Sequence, residues 1–245
     1  MRVLYVTTST AIGGAEKTLF TLVSGLKNSA AAPCGVICLK PLGEYAKLIE
    51  REGVPVKTLN MGYLPSPFSA DALKKEIAIF KPDIVHAFLF RAVQFSRMAK
   101  KSGGEFKLIS SHRVNCRTRP APLRWLDRKL RALDDLTLAE SQASADFLIK
   151  GQGYTASRVG IIRNGIDTGL WTPSAKERAE TRQRFGLSET DKVILCAGRL
   201  DKQKGQEDLI KAAKLLLAKG LPVKILLAGG GPLRDKLEKL TETLG

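Results

Sequence analysis

The chain has few of the residues and motifs on which several familiar classes of site depend. It contains two histidines and four cysteines in 245 residues, and no two cysteines have the Cys-x-x-Cys spacing of zinc and redox sites. The cysteines therefore indicate a reducing compartment without a disulfide framework. No Gly-Lys-Ser/Thr P-loop occurs, which argues against a P-loop nucleotide hydrolase. No Asp-x-Asp pair occurs either, so no ligand set for a metal-held diphosphate is predicted.

Long apolar segments are also missing. No run approaches the roughly 18 apolar residues that a membrane-spanning helix needs. The first residues, MRVLYVTT, lack the apolar core and the cleavage site of a signal peptide. The expected location is the cytoplasm.

Acidic residues are outnumbered, with 24 Asp and Glu against 40 Lys and Arg, giving a net charge of +16. Such an excess favours anionic partners, which could be phosphate-bearing substrates, anionic lipid or nucleic acid. No RNP-type aromatic motif or zinc-finger spacing is present, so nucleic acid is not an expected partner.

What the sequence does contain is a regular alternation of strand and helix patterns over residues 1–168. Strands are predicted at 3–6, 35–39, 54–59, 83–87, 106–110, 136–139 and 159–162. Helices are predicted at 15–26, 44–52, 69–80, 91–100, 122–133 and 143–150. This pattern predicts an α/β fold with a doubly wound, mainly parallel, Rossmann-like sheet of about seven strands.

A second Rossmann-like unit is predicted for residues 169–245, after a hinge at 165–173. It has strands at 193–197 and 223–228, each followed by a helix. Two strands are too few for an independent open sheet, so this second domain is expected to be incomplete. It is either part of a longer protein or a piece that packs on the first domain or on another subunit.

The segment VILCAGRLDKQKGQ, residues 193–206, predicts a site for an anion. A buried strand ends at Gly198, a basic turn carries Arg199 and Lys204, and a helical pattern follows. Free backbone N–H groups at a helix start favour negative charge, and an arginine can bind two phosphate oxygens at once. The alternative is a solvated basic turn.

Ligands of open α/β sheets bind beyond the carboxyl ends of the strands. Gly13 and Gly14 follow the first strand, and paired glycines allow a backbone to approach a ligand closely. The two histidines, His86 and His112, are predicted at the ends of the fourth and fifth strands, where they can donate to an oxyanion or act as acid or base. A further glycine turn after the last strand consists of Gly229, Gly230 and Gly231.

Between the fifth and sixth strands lies a basic stretch with one tryptophan, Trp125. Its arginines include Arg113, Arg117, Arg119, Arg124 and Arg128. Such a stretch can lie on an anionic membrane surface. The alternative is a helix packed on the sheet through Trp125, Leu126, Leu130 and Leu133, with a solvated basic face.

Taken together these segments resemble the family 4 (group 1) retaining glycosyltransferases, which have the two-domain GT-B fold. The segments that carry the resemblance are GGAE (13–16), KPDIVHAF (81–88), AESQASADFLIKGQGY (139–154), VGIIRNGID (159–167), CAGRLDKQKG (196–205) and LLAGGGP (226–232). The resemblance covers nearly the whole chain, and GRLDKQKG and NGID are its most specific parts.

The resemblance implies transfer of a sugar from a UDP- or GDP-sugar, with retention at the anomeric carbon and without a metal or other cofactor. The resemblance implies that Arg199 and Lys204 bind the donor diphosphate, together with Gly13 and Gly14. The 229–231 turn would line the nucleotide. The first domain, 1–168, would hold a lipid-linked or polysaccharide acceptor, and the enzyme could be peripheral on the inner face of the cytoplasmic membrane.

The chain departs from the family pattern in two places. Phe88 stands where many members have a second histidine, and the Glu-x7-Glu motif of the family lies beyond residue 245. A second hypothesis is therefore a truncated, non-catalytic relative that binds acceptor or anionic lipid. A nucleotide-sugar epimerase ranks lower, because no Tyr-x-x-x-Lys pair occurs.

Overall fold

A computed structural model describes residues 1–27, 33–61, 67–113 and 119–244. The chain forms two compact units, Met1–Ile166 and Asp167–Gly245. Each unit has its own sheet and its own apolar core.

The amino-terminal unit alternates strands and helices along the chain. Its strands are β1 (Val3–Thr7), β2 (Cys34–Cys38), β3 (Val56–Thr58), β4 (Ile84–Phe88), β5 (Lys107–His112), β6 (Leu136–Ala139) and β7 (Val159–Ile161). Its helices are α1 (Gly14–Lys27), α2 (Glu44–Arg51), α3 (Pro67–Phe80), α4 (Phe90–Lys101), α5 (Ala121–Leu130) and α6 (Gln142–Asp146), the last continued by a π-helical turn at Phe147–Gly151. The strands form one parallel sheet in the order β3-β2-β1-β4-β5-β6-β7, which confirms the predicted fold class.

Helices cover both faces of this sheet because alternate residues of each strand point to opposite sides. In β1, Leu4 and Val6 pack in a cluster with Leu73 of α3 and Val93 of α4. Tyr5 points to the other face and packs with residues of α1 and α2, among them Leu19, Val23 and Ile49. The strands are apolar on both sides for this reason, as expected of a buried parallel sheet.

The carboxy-terminal unit consists of α7 (Ala175–Arg184), β8 (Lys192–Ala197), α8 (Gln206–Ala218), β9 (Val223–Ala228) and α9 (Arg234–Leu244). β8 and β9 pair in parallel. Leu200, Ile210 and Leu237 are buried together and form the centre of the core. α7 was not predicted, because its sequence AKERAETRQR is polar around the whole helix and has no apolar stripe.

The described residues contain no helix that combines the length and apolar composition needed to cross a bilayer.

Candidate functional site

The turn after β8 carries the two cations expected to hold a diphosphate. Leu200 anchors this turn: it is buried, its N–H donates to the carbonyl of Gly230 (2.9 Å), and its carbonyl accepts from the N–H of Leu233 (3.2 Å). Arg199 precedes this anchor and has a side chain that is 63% exposed. The residues Lys202–Lys204 form a 3-10 turn before α8. The turn is therefore fixed at its backbone while its basic side chains reach solvent.

The glycine turn after β9 packs directly against the backbone of the turn after β8. A Cβ on Gly229 would lie 2.0 Å from the carbonyl oxygen of Gly198, and one on Gly231 would lie 2.4 Å from that of Leu200. A Cβ on Gly230 would meet nothing within 4 Å. Glycine is thus required at 229 and 231 by protein packing, and the nucleotide role expected for this turn stays a prediction.

Replacing Gly229 with alanine is expected to lower the free energy of unfolding by more than about 1 kcal/mol. The new methyl group would overlap the carbonyl of Gly198, and the backbone of Gly229 has a φ of 148°, where side chains are rarely accommodated. Urea denaturation measures the difference. Gly230→Ala is the matched control and should change stability by no more than about 0.5 kcal/mol. Equal losses in the two variants would contradict the close packing of the turns.

The cations of the β8 turn have defined surroundings. The guanidinium Nη2 of Arg199 lies 3.4 Å from Oδ2 of Asp201, and Oδ1 of Asp201 accepts the N–H of Gln203 (3.1 Å). The stem of Lys204 lies over the start of the turn, with its Cδ and Cε 3.9 Å from the Cβ position of Gly198. Asp201 therefore shapes the turn and restrains Arg199 before any ligand is present.

The first turn of α8 is acidic, which differs from the simple anion site expected at a helix start. It carries Glu207 and Asp208. Glu207 accepts hydrogen bonds from Lys236 (2.7 Å) and from Lys211 (2.9 Å). These bonds lower the pKa of Glu207 to about 2, and the bond from Lys236 has the larger effect. Attraction for an anion at the start of α8 thus depends on Arg199 and Lys204, the two cations that precede the helix.

In the amino-terminal unit, the strand order reverses between β1 and β4, the position at which doubly wound sheets bind ligands. Thr7 pairs with Phe88, so the strands end side by side. The Thr8 hydroxyl accepts the N–H of Ala92 at the start of α4 (3.2 Å). Leu89, between β4 and α4, has a φ of 69°, a strained conformation for a residue with a side chain.

Gly13 and Gly14 lie at this reversal point, where α1 begins. A Cβ on Gly14 would meet nothing within 4 Å. One on Gly13 would meet only the side chain of Glu16, with Oε2 at 2.3 Å. The space beside Gly14 is therefore open to a ligand group, whereas the space beside Gly13 is filled by the Glu16 carboxylate. The phosphate role of both glycines stays a prediction.

His86 lies in the middle of β4, so the prediction that it lies at the end of the strand is wrong. It pairs with Tyr5 across the sheet, its Nε2 is 2.7 Å from the hydroxyl of Ser111, and its ring centroid is 4.4 Å from that of Phe88. Burial, reinforced by the charge of Arg113, lowers its pKa to about 3. His86 is therefore a neutral imidazole near pH 7.

This lowered pKa predicts a pH-dependent stability. An unfolded histidine takes up a proton below its usual pKa of 6.5, whereas the folded state keeps His86 neutral down to about 3. Since the unfolded state then binds more protons, the free energy of unfolding falls as the pH falls, by about 1.4 kcal/mol from this residue between about pH 7.5 and about pH 5.5. Urea titrations of the wild type and His86→Gln at both pH values isolate the effect. An unchanged pH dependence in the variant would contradict it.

His112 is the last residue of β5 and is buried. Its pKa is lowered, mainly by burial. Its Nε2 lies 3.4 Å from the hydroxyl of Tyr154, and the two rings meet edge to face with centroids 5.8 Å apart. Unlike His86, it lies at the end of its strand, as predicted.

The next residue, Arg113, joins three parts of the same sheet edge. Its Nη1 donates to the carbonyl of Ile162 (3.2 Å) and to Oδ1 of Asn164 (2.9 Å). The hydroxyl of Thr18 in α1 donates to the same Asn164 oxygen (3.1 Å). Arg113 and Asn164 thus bring the ends of β5 and β7 to the start of α1.

The other arginines of the basic stretch have separate surroundings. The guanidinium of Arg119 lies 3.9 Å from the ring centroid of Phe90, and Arg128 donates to the carbonyl of Gly151 (3.3 Å). Arg124 lies in α5, and Arg117 lies outside the described residues. Their acceptor or membrane role stays a prediction.

α5 faces the protein interior with a different residue from those that the sequence suggested. Trp125, one of the residues expected to face the sheet, is 57% exposed, and its ring is covered by Lys129 (4.5 Å to the centroid). The residue of α5 that is buried is Asp127. The helix therefore meets the protein interior with a carboxylate, and an exposed tryptophan lies among its basic residues.

Asp127 belongs to a buried charge network that sequence reasoning missed. Arg97 of α4, fully buried, donates to Asp127 (2.7 Å), to Asp134 (2.6 and 2.8 Å) and to the hydroxyl of Tyr154 (2.9 Å). A signal was present: Asp127 falls in the stripe Leu123, Leu126, Leu130, where an apolar residue is expected. A charged residue in an apolar stripe indicates a buried partner.

Within the part of the chain that the structure describes, no three His, Cys, Asp or Glu side chains are grouped in a way that could hold a metal ion.

Two family models match the chain. The model described as Glycosyltransferase Family 4 matches residues 12–170, and the model described as Glycosyl transferases group 1 matches residues 177–245.

Curated relatives match at moderate identity. A GDP-mannose-dependent monoacylated alpha-(1-6)-phosphatidylinositol monomannoside mannosyltransferase of Corynebacterium glutamicum is 28% identical over 183 residues, which is 72% of this chain and 47% of that protein. A sulfoquinovosyl transferase of Arabidopsis thaliana is 26% identical over 250 residues, which is 92% of this chain and 48% of that protein. The chain thus spans about half the length of these curated relatives.

Solved structures share the fold. The Anabaena protein HepE, crystallised with UDP and glucose, matches with a TM-score of 0.84 and 22% identity, over 100% of this chain and 67% of that chain. The apo form of the lipopolysaccharide outer core galactosyltransferase WaaB matches with a TM-score of 0.66 and 18% identity, over 100% of this chain and 65% of that chain.

Proposed function

The chain belongs to Glycosyltransferase Family 4, and on that premise we propose that it transfers a sugar from a nucleotide-diphosphate donor to a lipid-linked or polysaccharide acceptor. We propose further that the transfer retains the anomeric configuration and needs no metal. The donor would be a UDP- or GDP-sugar. Relatives are named as GDP-mannose-dependent enzymes, and solved neighbours are titled as complexes with UDP or UDP-glucose, which supports this class of donor.

The observation that carries the proposal is the pair of cations on the turn after β8. Arg199 is exposed beside the buried anchor Leu200, and Lys204 follows on the same turn. Breaking the bond between sugar and diphosphate places negative charge on the leaving phosphate. Fixed cations stabilise that charge more in the transition state than in the ground state, and this difference accelerates the reaction.

His86 and His112 are proposed to act on the sugar or acceptor side. Burial lowers the pKa of both, so both are neutral imidazoles near pH 7. A neutral imidazole can donate a hydrogen bond to a developing negative charge or accept one from a hydroxyl. Gly13 and Gly14 are proposed to approach the donor phosphate, and the unfilled space beside Gly14 supports this role.

The acceptor class has support of its own. The relatives named above include an enzyme that acts on a phosphatidylinositol mannoside. In this chain, α5 exposes Trp125 among basic side chains that include Arg128 and Lys129, a pattern that suits the anionic headgroups of a membrane. We propose that a membrane-bound acceptor reaches the amino-terminal unit from this side.

Calorimetric titration of the chain with UDP, GDP and the corresponding monophosphates tests the donor proposal. A saturable diphosphate signal, at least about tenfold tighter than that of the monophosphate, is expected from the added charge-assisted contacts. Transfer assays with and without EDTA then test the requirement for metal. Absence of saturable binding of either diphosphate would instead support a relative that binds acceptor without catalysis.

A further inference from the structure

Tyr154 connects the buried charge network to His112. It follows the π-helical turn and is buried, with its hydroxyl 2.9 Å from Nη2 of Arg97, 3.0 Å from Oδ2 of Asp127 and 3.4 Å from Nε2 of His112. One oxygen atom thus has three polar partners from α4, α5 and β5. How the protons are distributed among these contacts determines what His112 can do.

The direction of two of the three contacts follows from the charges. Arg97 has donors only, so the tyrosine oxygen accepts from it. Burial raises the pKa of Tyr154, so its hydroxyl keeps its proton. The pKa of Asp127 is lowered: burial raises it, but electrostatic interactions with His112 and Arg97 and the hydrogen bond from Arg97 (2.7 Å) outweigh burial. The single hydroxyl proton of Tyr154 therefore points to the Asp127 carboxylate.

Only one direction is then possible for the third contact, between the Tyr154 hydroxyl and Nε2 of His112. With its proton committed to Asp127, the tyrosine oxygen can only accept from the imidazole. We propose that Tyr154 is a positioning residue that holds His112 as the Nε2–H tautomer, with the lone pair of the ring on Nδ1. The inference rests on the proposed function in giving His112 its role in sugar transfer.

The opposite tautomer is disfavoured by the burial of the pair. With the proton on Nδ1, the lone pair of Nε2 would face the lone pairs of the tyrosine oxygen. Since both residues are buried, water does not compensate for the lost hydrogen bond. Burial is the main cause that lowers the pKa of His112. The charged groups around the ring also act on it: the carboxylates of Asp127 and Asp134 raise its pKa, and the guanidiniums of Arg97 and Arg119 lower it.

A fixed tautomer gives His112 a defined chemical role. Nε2 would remain bound to Tyr154, and Nδ1 would be the ring nitrogen whose lone pair can accept a hydrogen bond or a proton. The network would thus act on the reaction through the orientation and protonation of one ring. Arg97, Asp127 and Tyr154 would not touch substrate.

Nitrogen-15 NMR of the histidine-labelled chain tests the proposal directly. The protein has two histidines, so spectra of the wild type and of His86→Gln assign both rings. For wild-type His112 we expect a protonated Nε2 and an unprotonated Nδ1 near pH 7. In Tyr154→Phe the ratio of Nε2–H to Nδ1–H should fall by about tenfold, as expected when a hydrogen bond is lost.

Thr137→Val is the matched control. Thr137 donates to Asp134 in the same network (3.1 Å), so its loss damages the network without removing a partner of His112. The control should keep the wild-type tautomer. A wild-type His112 protonated at Nδ1, an unchanged ratio in Tyr154→Phe, or an equal change in the control would overturn the proposal. The wild-type measurement decides even if a variant fails to fold, and it does not depend on nucleotide binding, so failure of the proposed function would be seen separately.

Discussion

Replacing Arg97 with methionine is expected to lower the free energy of unfolding by about 3–5 kcal/mol. The guanidinium is completely buried and forms ion pairs with Asp127 and Asp134, both of which are also buried. Methionine fills a similar volume but leaves two carboxylates without a cation in a region that water does not reach. The large loss comes from those uncompensated charges more than from the removed hydrogen bonds.

Chemical denaturation followed by circular dichroism measures this loss, and its pH dependence is diagnostic. In the wild type the pKa of Asp127 is lowered, so its contribution to stability is present above its usual pKa and is lost as the pH falls. Without Arg97, burial would instead raise that pKa and favour the neutral acid at low pH. The difference in free energy of unfolding between the wild type and the variant should therefore become smaller as the pH falls.

Lys100→Met is the matched control for this prediction. Lys100 lies in the same helix and pairs with Asp135, but both side chains are partly exposed. Exposed ion pairs contribute about 0–1 kcal/mol, so the control should lose no more than that. A loss for Arg97→Met that does not exceed the control would show that the buried network does not stabilise the fold in the way described.

Replacing Arg199 with alanine is expected to weaken the binding of UDP or GDP by about tenfold to a hundredfold, the loss of a charge-assisted contact of about 1.5–3 kcal/mol. In a complete enzyme the same change should lower turnover at least about tenfold. The side chain is 63% exposed, so added salt should weaken the wild-type affinity and reduce the difference between the two proteins.

Two further variants separate charge from geometry in this experiment. Arg199→Lys keeps the charge but loses the planar fork, and its affinity should fall between those of wild type and alanine variant. Arg184→Ala removes an exposed arginine from the last turn of α7, outside the proposed site, and should bind nucleotide as the wild type does. Wild-type affinity in Arg199→Ala would reject the diphosphate role of this residue.

The predictions from sequence were most accurate for the elements that are buried on one or both faces. β1, predicted at 3–6, runs from Val3 to Thr7, and β6 runs from Leu136 to Ala139 as predicted. These elements have strong apolar patterns because burial selects their residues. α7 was missed because it is polar on every side, so its sequence has no apolar stripe that would indicate a packed helix.

The candidate site was predicted less completely, for a physical reason. The arginine of the β8 turn and the histidine that ends β5 could be found because they lie at or just beyond the ends of strands. His86 was expected at the end of its strand but lies in the middle, because β4 continues to Phe88. Trp125 was expected to face the sheet but is exposed, and the burial of Asp127 was missed. A buried carboxylate depends on a cation, here Arg97, thirty positions earlier in the chain.

The sequence by itself determined the α/β class, the parallel pairing of the strands, the basic turn after β8 and the family. These properties depend on local periodicity and on short motifs, which a single chain displays directly. Only the tertiary structure decided that Gly229 and Gly231 meet the backbone of the neighbouring turn, and that Arg97, Asp127, Tyr154 and His112 share one network. Such contacts join residues far apart in sequence, and they form only when the folded chain buries those residues together.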